Sequence, residues 1–216
     1  MILASSSPRR RDLLTRLGVD YTPFQPDVDE RPHPGETPLQ TQHRITLEKA
    51  RAPDAAPDEI VIAADTTVLL DGEMLNKPAD ADDAWRMLRS LRGRTHEVQS
   101  CIVIKQGEDV TMEIVSSLVT MRNYSDAEIA AYIASGDPFD KAGSYAVQHP
   151  LFQPVLDIQG CPLNVMGLPL CRLRAHLPEL PATSPVCTAF WGRPCIDTGV
   201  EDFTAETAKI AKEDRF

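Results

Sequence analysis

Residues 60–64 read IVIAA, an unbroken apolar run closed by Asp65. An alternating pattern would leave one face of a strand in water, whereas this continuous run predicts a strand covered on both faces. Such a strand belongs inside a sheet with helices packed against it, which is an α/β architecture. Its carboxylate is expected at the C-terminal end of the strand, the edge where α/β folds bind ligands. A lone aspartate there serves equally as an N-cap or a turn residue.

The start of the chain carries a second constraint. Residues 1–17, MILASSSPRRRDLLTRL, predict a short apolar strand, a serine-rich turn and a helix. Ser7 suits the N-cap, and Pro8 the first helical position, where its missing N–H costs nothing. The amides of that first turn, the hydroxyls of Ser5, Ser6 and Ser7, and the guanidinium groups of Arg9, Arg10 and Arg11 are expected to converge on one anion site, in particular a phosphate site. Solvated arginines on a surface helix are the alternative. Placement argues against it, because arginines in a first turn oppose the helix dipole unless an anion compensates.

Further along, Gly18 is expected to end the first helix, and residues 21–25 form a short strand before a Pro-rich loop at 26–36. Asp27, Asp29 and Glu30 in that loop make either an ordinary acidic surface or, beside a phosphate site, hard oxygen ligands for a divalent cation. Thr37 and Gln40 predict a capping box for a helix running to about Ala52. It carries Glu48 and Lys49, a pair that usually faces solvent. Residues 68–70 and 73–75 flank an Asp71–Gly72 turn as a hairpin, with Lys77 just beyond. Asp80 caps a helix to Leu91 that buries Trp85 and Leu88. Residues 95–105 and 109–121 read as paired strands, with His96 a hydrogen-bonded sheet residue. Ser125 and Glu128 form a second capping box, for a helix ending near Gly136. Asp140 and Lys141 alone would be a turn ion pair, and Gly143 permits close backbone approach. A strand at 155–158, a loop at 160–167 and a helix at 168–177 follow. From Pro178 the composition turns proline-rich, and residues 204–214 have the composition of a terminal helix.

Seven short motifs occur in order: SSSPRR at 5–10, EKA at 48–50, AADTTV at 63–68, NKP at 76–78, GRTHEV at 93–98, DKAGSYAVQ at 140–148 and NVMGLPL at 164–170. Together they resemble the Maf family of nucleoside triphosphate pyrophosphatases, also called septum formation inhibitor proteins, over residues 1–177. The resemblance implies a mixed, twisted sheet with flanking helices, folded as two lobes around a deep cleft in the manner of inosine triphosphatase-like proteins. Residues 178–216 would then be an extension of unknown role, either a tail or a strap packed over the domain.

The implied reaction cleaves a nucleoside triphosphate between the α and β phosphates, in keeping with nucleotide-pool house-cleaning. On this resemblance Ser5, Arg9, Arg10, Lys49 and Lys77 bind the substrate's phosphates, and Asp140 and Lys141 lie in the cleft. Glu30 and Asp65 hold magnesium, with manganese as the alternative, and Asp65 also orients or deprotonates the attacking water. The residues Arg9, Thr66 and Gln148 match the branch acting on dTTP and UTP. The 7-methylguanosine triphosphate branch tends to carry Trp, Gln and Glu there. A glutamine amide offers one donor and one acceptor, matching the N3–H and adjacent carbonyl of uracil or thymine. His149 departs from the glycine that many relatives carry, and its side chain is expected to narrow the base pocket or shift Gln148. The same chemistry on modified pyrimidine or 7-methylguanosine triphosphates is the alternative activity. A nucleotide-binding regulator of septum formation that does not hydrolyse its ligand is the alternative from another class.

Composition bounds the partners. With 22 basic and 32 acidic side chains the formal charge is −10, which opposes a nucleic acid polymer or an anionic membrane as the main partner. A basic pocket in an acidic protein suits a small polyanion better. The five cysteines are odd in number and lack a CxxC pair, so they read as reduced thiols of a cytoplasmic protein. Neither a signal peptide nor a membrane span is expected, and the resemblance admits a homodimer.

Overall fold

The computed structural model of the protein describes residues 1–192. Among these residues seven strands form one mixed sheet: β1 (Ile2–Ala4), β2 (Thr22–Phe24), β3 (Ile60–Leu70), β4 (Glu73–Leu75), β5 (Thr95–Gln106), β6 (Asp109–Met121) and β7 (Val155–Gln159). Their order is β2-β1-β3-β5-β6-β7, with β4 beside β3. The β2, β1 and β3 strands run parallel, and every other pairing is antiparallel. Among the described residues seven α-helices accompany them: α1 (Pro8–Leu17), α2 (Pro38–Arg51), α3 (Ala81–Leu91), α4 (Asp126–Ala134), α5 (Pro162–Val165), α6 (Leu170–His176) and α7 (Ser184–Trp191).

The pairing of β3 creates the cleft. Its first half pairs with β1, Val61–Ala63 against Ile2–Ala4, and its second half with β4, Val68–Leu70 against Leu75–Glu73. Among the described residues, the stretch 64–67 between them pairs only with β5. The sheet is therefore notched on one edge at Asp65 and Thr66. Asp65 lies in the middle of an eleven-residue strand and does not end one, as the apolar run had suggested. Ladder bonds to β5 carry the strand through the aspartate, and it is the neighbour β1 that stops.

Alternation along β3 and β5 separates the layers. Leu3, Ile62, Ala64, Ile102 and Ile104 pack with Leu13, Leu14 and Leu17 of α1 and with α6. Ala4, Val61, Ala63, Cys101 and Val103 face the other way, toward Ala50 of α2. A further core joins the distal halves of β3 and β5 to α3, α4 and β7 through Val68, Leu88, Val98, Tyr124 and Ile129. These cores on either side of the notch are the two lobes.

The helix starts follow the expected chemistry. Both capping boxes are present, Thr37 with Gln40 and Ser125 with Glu128, and the Asp80 side chain accepts from the Asp83 amide. Ser7 occupies its N-cap position, but its hydroxyl makes no capping bond. The expected loop at 160–167 contains α5. Pro162 sits in its first turn, and the buried Asn164 amide donates to Val98 O and Ser117 Oγ, both at 3.0 Å, fastening the turn to the sheet. Part of the proline-rich extension is a strap: α7 packs Val186 and Cys187 into the α1 and α6 layer, and Arg16 lies over the Phe190 ring. The helix expected at 204–214, and Cys195, lie outside the described residues.

Candidate active site

The notch opens into a cleft of about 460 Å³. Alternation on β3 sends consecutive side chains to opposite layers, so Asp65 meets α2 and Thr66 meets α1. From α2, Lys49 Nζ stands 2.9 Å from Asp65 Oδ1 and 2.6 Å from Glu30 Oε1. A lysine expected by default to face solvent is thus only 6% exposed. Burial raises the Glu30 carboxyl, but the hydrogen bond and charge of Lys49 outweigh it and hold the group below the ordinary glutamate range. Of the carboxylates Asp27, Asp29 and Glu30 in the acidic loop, only Glu30 lines the cleft, together with Pro32. Asp29 is instead chelated by Arg31, with Oδ2 2.6 Å from Nη2.

On the opposite side, Arg10 acts as a clamp. Its buried guanidinium donates through Nε to Gly167 O (2.7 Å), through Nη1 to Ser5 Oγ (3.1 Å) and through Nη2 to Thr66 Oγ1 (3.0 Å). Burial lowers its pKa and the charges of Asp65 and Glu30 oppose that shift. Thr66 also pairs with Ser100 Oγ at 2.8 Å, and Ser100 donates to Asn164 O. Gly167 adopts φ +108, and a Cβ there would press on Arg10 Nε and Thr66 Oγ1, each at 3.3 Å. Only glycine lets this loop close over the guanidinium.

Not all of the serine and arginine turn converges as expected. Ser6, Ser7, Arg9 and Arg10 line the cleft. Ser5 is buried behind Arg10, where its hydroxyl also accepts from the Ser7 amide at 3.2 Å. Arg11 turns away, donating to Ser5 O, while its own carbonyl accepts from Tyr21 OH. One helical step of about 100° separates Arg10 from Arg11 and puts them on different faces.

The far wall is the segment after α4, two short 3₁₀ turns at Asp137–Asp140 and Ala142–Ser144. Lys141 Nζ lies 2.6 Å from Asp140 Oδ1 and 2.9 Å from Asp137 Oδ1, and Asp140 Oδ2 faces Arg9 Nη1 at 3.3 Å. Gly143, at φ +67, brings this backbone against β3, where an added Cβ would be 3.0 Å from Val68 Cγ1. Its amide donates to Asn76 O, next to the cleft-lining Lys77. Gln148 lines the cleft and His149 does not. The expected narrowing by His149 is absent because its ring packs edge-on to Tyr132 and its Nδ1 accepts from the Phe152 amide at 2.9 Å.

Two cleft residues were not legible as such. Gln42 on α2 donates through Nε2 to Asp65 O and Gln99 O, and its Oε1 is buried without a protein partner among the described residues. Tyr145 lines the cleft and its hydroxyl meets His96 Nε2 at 2.7 Å. Burial pulls the His96 pKa down to about 4; the residue is part of β5 and hydrogen-bonded, as its place in the strand pattern suggested, but its partner Tyr145 lies outside the sheet.

Among the described residues no helix is long and apolar enough to cross a membrane. The family model described as Maf-like protein matches residues 1–180. A protein of Anaeromyxobacter dehalogenans named dTTP/UTP pyrophosphatase is 44% identical over 181 residues, spanning 82% of this chain and 92% of the relative. Proteins of the same name from Chromobacterium violaceum and Cereibacter sphaeroides are 42% identical over 183 residues and 44% over 175. These alignments span 82% and 80% of this chain, and 92% and 90% of the relatives. A family match of that extent, on a chain whose seven motifs and notched α/β sheet agree with it, means that this protein belongs to the Maf family.

Proposed function

We propose that this chain hydrolyses UTP and dTTP to the nucleoside monophosphate and pyrophosphate. The observation that carries the reading is a single cleft holding the carboxylates Asp65 and Glu30 on one side and the cations Arg9, Arg10 and Lys77 around them. Relatives named for this activity support it.

Within that cleft, Arg9, Lys77 and the amides of the first turn of α1 neutralise the phosphate chain. Arg10 spends three donors on protein groups, so its main part is to hold the turn, Thr66 and the Gly167 loop in register around that chain. Ser5 supports it from behind. Asp65 accepts a proton from, or orients, the water that attacks the phosphoryl group, and Lys49 fixes the carboxylate's position. Lys141 and Asp140 place Arg9 and the far wall. Gln148 offers its amide to the pyrimidine edge, and Thr66 sits at the floor between the two ends of the substrate.

The donor set fits a divalent cation. Two carboxylates already converge on one positive charge at Lys49, and hard oxygens suit magnesium. Among the described residues no group of three or more His, Cys, Asp or Glu side chains is placed to hold a metal ion, so a cation here would need substrate phosphates to complete its shell. Glu30 and Asp65 would hold it. When bound, it supplies Lewis-acid polarisation of the phosphoryl oxygens and a more acidic water.

The test is a panel of triphosphates assayed for pyrophosphate release with and without magnesium. UTP and dTTP should be turned over and GTP poorly. Comparable turnover of GTP and UTP would overturn the pyrimidine assignment. Binding of UTP without turnover in magnesium would convert the protein into a regulator.

A further inference from the structure

Phosphate-facing and base-facing groups on the far wall come from one segment, residues 137–148, with Asp140 and Lys141 near its start and Gln148 at its end. The segment has little regular structure to stiffen it. Its backbone passes twice through the left-handed region, at Gly143 (φ 67) and Ser144 (φ 62). What joins its two ends lies outside it, on α4.

Tyr132 is 2% exposed. Its hydroxyl donates to Asp137 Oδ2 at 2.7 Å and accepts from the Ala146 amide at 3.1 Å. Asp137 Oδ1 meets Lys141 Nζ, which reaches Asp140, which faces Arg9. Two residues beyond Ala146 stands Gln148. The Tyr132 ring is clamped, stacked on Phe152 at 4.4 Å and 15° and edge-on to His149 at 4.8 Å. A ring so held cannot follow its partners, and they must follow it.

We propose that Tyr132 is a positioning residue whose single hydroxyl couples the Lys141–Asp140–Arg9 cluster to the base-recognising residues 146–148. The fit of the base and the grip on the phosphates are then set together. This rests on the reading of the cleft as a pyrimidine triphosphate site. A merely structural tyrosine would stabilise the fold and leave selectivity alone.

The test is Tyr132→Phe, which keeps the ring and its stacking. Two quantities are measured against wild type: the UTP to GTP ratio of kcat/KM, which does not depend on the fraction of folded enzyme, and the inhibition constant of inorganic triphosphate, which carries no base. The ratio should fall and the inhibition constant rise, each by about three- to tenfold, the scale of one lost hydrogen bond. Either quantity staying within about twofold of wild type overturns the coupling. Asp137→Asn supplies the second variant. It removes charge from the phosphate side only, and it should still lower the UTP to GTP ratio through Tyr132; an unchanged ratio overturns the coupling. A wild-type enzyme without preference for UTP would sink the functional reading and the coupling together, whereas a preference that Tyr132→Phe retains sinks the coupling alone.

Discussion

The Lys49 ammonium lies 2.9 Å from the Asp65 carboxylate, bridging α2 and the middle of β3. The pair fixes the direction of the Asp65 carboxylate, while the second partner of Lys49, Glu30, keeps the lysine satisfied if Asp65 is neutralised. Asp65→Asn should therefore fold normally and lose turnover by at least about 10²-fold, the scale of a lost general base. Pyrophosphate release and a thermal melt measure the two parts. Near-normal release by the variant would remove Asp65 from the reaction.

Arg10→Lys separates a planar fork from a point charge. A lysine cannot reach Gly167 O, Ser5 Oγ and Thr66 Oγ1 together, so at least one of these buried charge-assisted bonds is lost. The expected loss is about 1–3 kcal/mol of stability, with a fall in kcat/KM for UTP. Denaturant unfolding checks the first quantity. A variant as stable as the parent would contradict the clamp.

Gly143→Ala adds a methyl group 3.0 Å from Val68 Cγ1 at a backbone angle of φ +67. Strain of about 1–3 kcal/mol should result, and because Lys141 and Gln148 flank the site, KM for UTP should rise more than kcat falls. Steady-state kinetics beside a thermal melt would show whether the two effects travel together.

Glu36 gives a pH signature away from the cleft. The Arg44 side chain, 2.7 Å from Oε1, pulls its pKa down to about 2. A carboxyl lowered on folding stabilises the native state above its unfolded pKa, and that contribution disappears as pH falls through about 2. Arg44→Gln should raise the Glu36 pKa toward the ordinary glutamate range, the His33 amide and Thr41 hydroxyl still holding it somewhat below. The stability gap between parent and variant should be present above about pH 4.5 and close as the solution is acidified. A carboxyl titration followed by NMR reads the Glu36 value directly.

Much of this was written locally in the chain. Capping boxes need only residues three apart, so Thr37 with Gln40 and Ser125 with Glu128 were readable, as was the buried strand through Ile62. Long-range pairing was not. Nothing near Asp65 in the sequence says that β1 stops at Ala4 while β3 continues, and the site's notch is made by that difference. Ser5 and Arg11 look equivalent to their neighbours in the SSSPRRR run until the turn after β1 buries the one and the helix phase turns the other away. Gln42 gave no signal because its role depends on carbonyls 23 and 57 residues away. The outcome at His149 turned on Tyr132 and Phe152, whose nearness only the fold supplies.

Because β3 runs unbroken through Asp65 and is laddered to β5 on both sides of it, the carboxylate is fixed to the sheet and not to a loop. Any closing motion that accompanies substrate capture must then carry the loops to it: the segment bearing Glu30 from one direction and the one bearing Lys141 and Gln148 from the other.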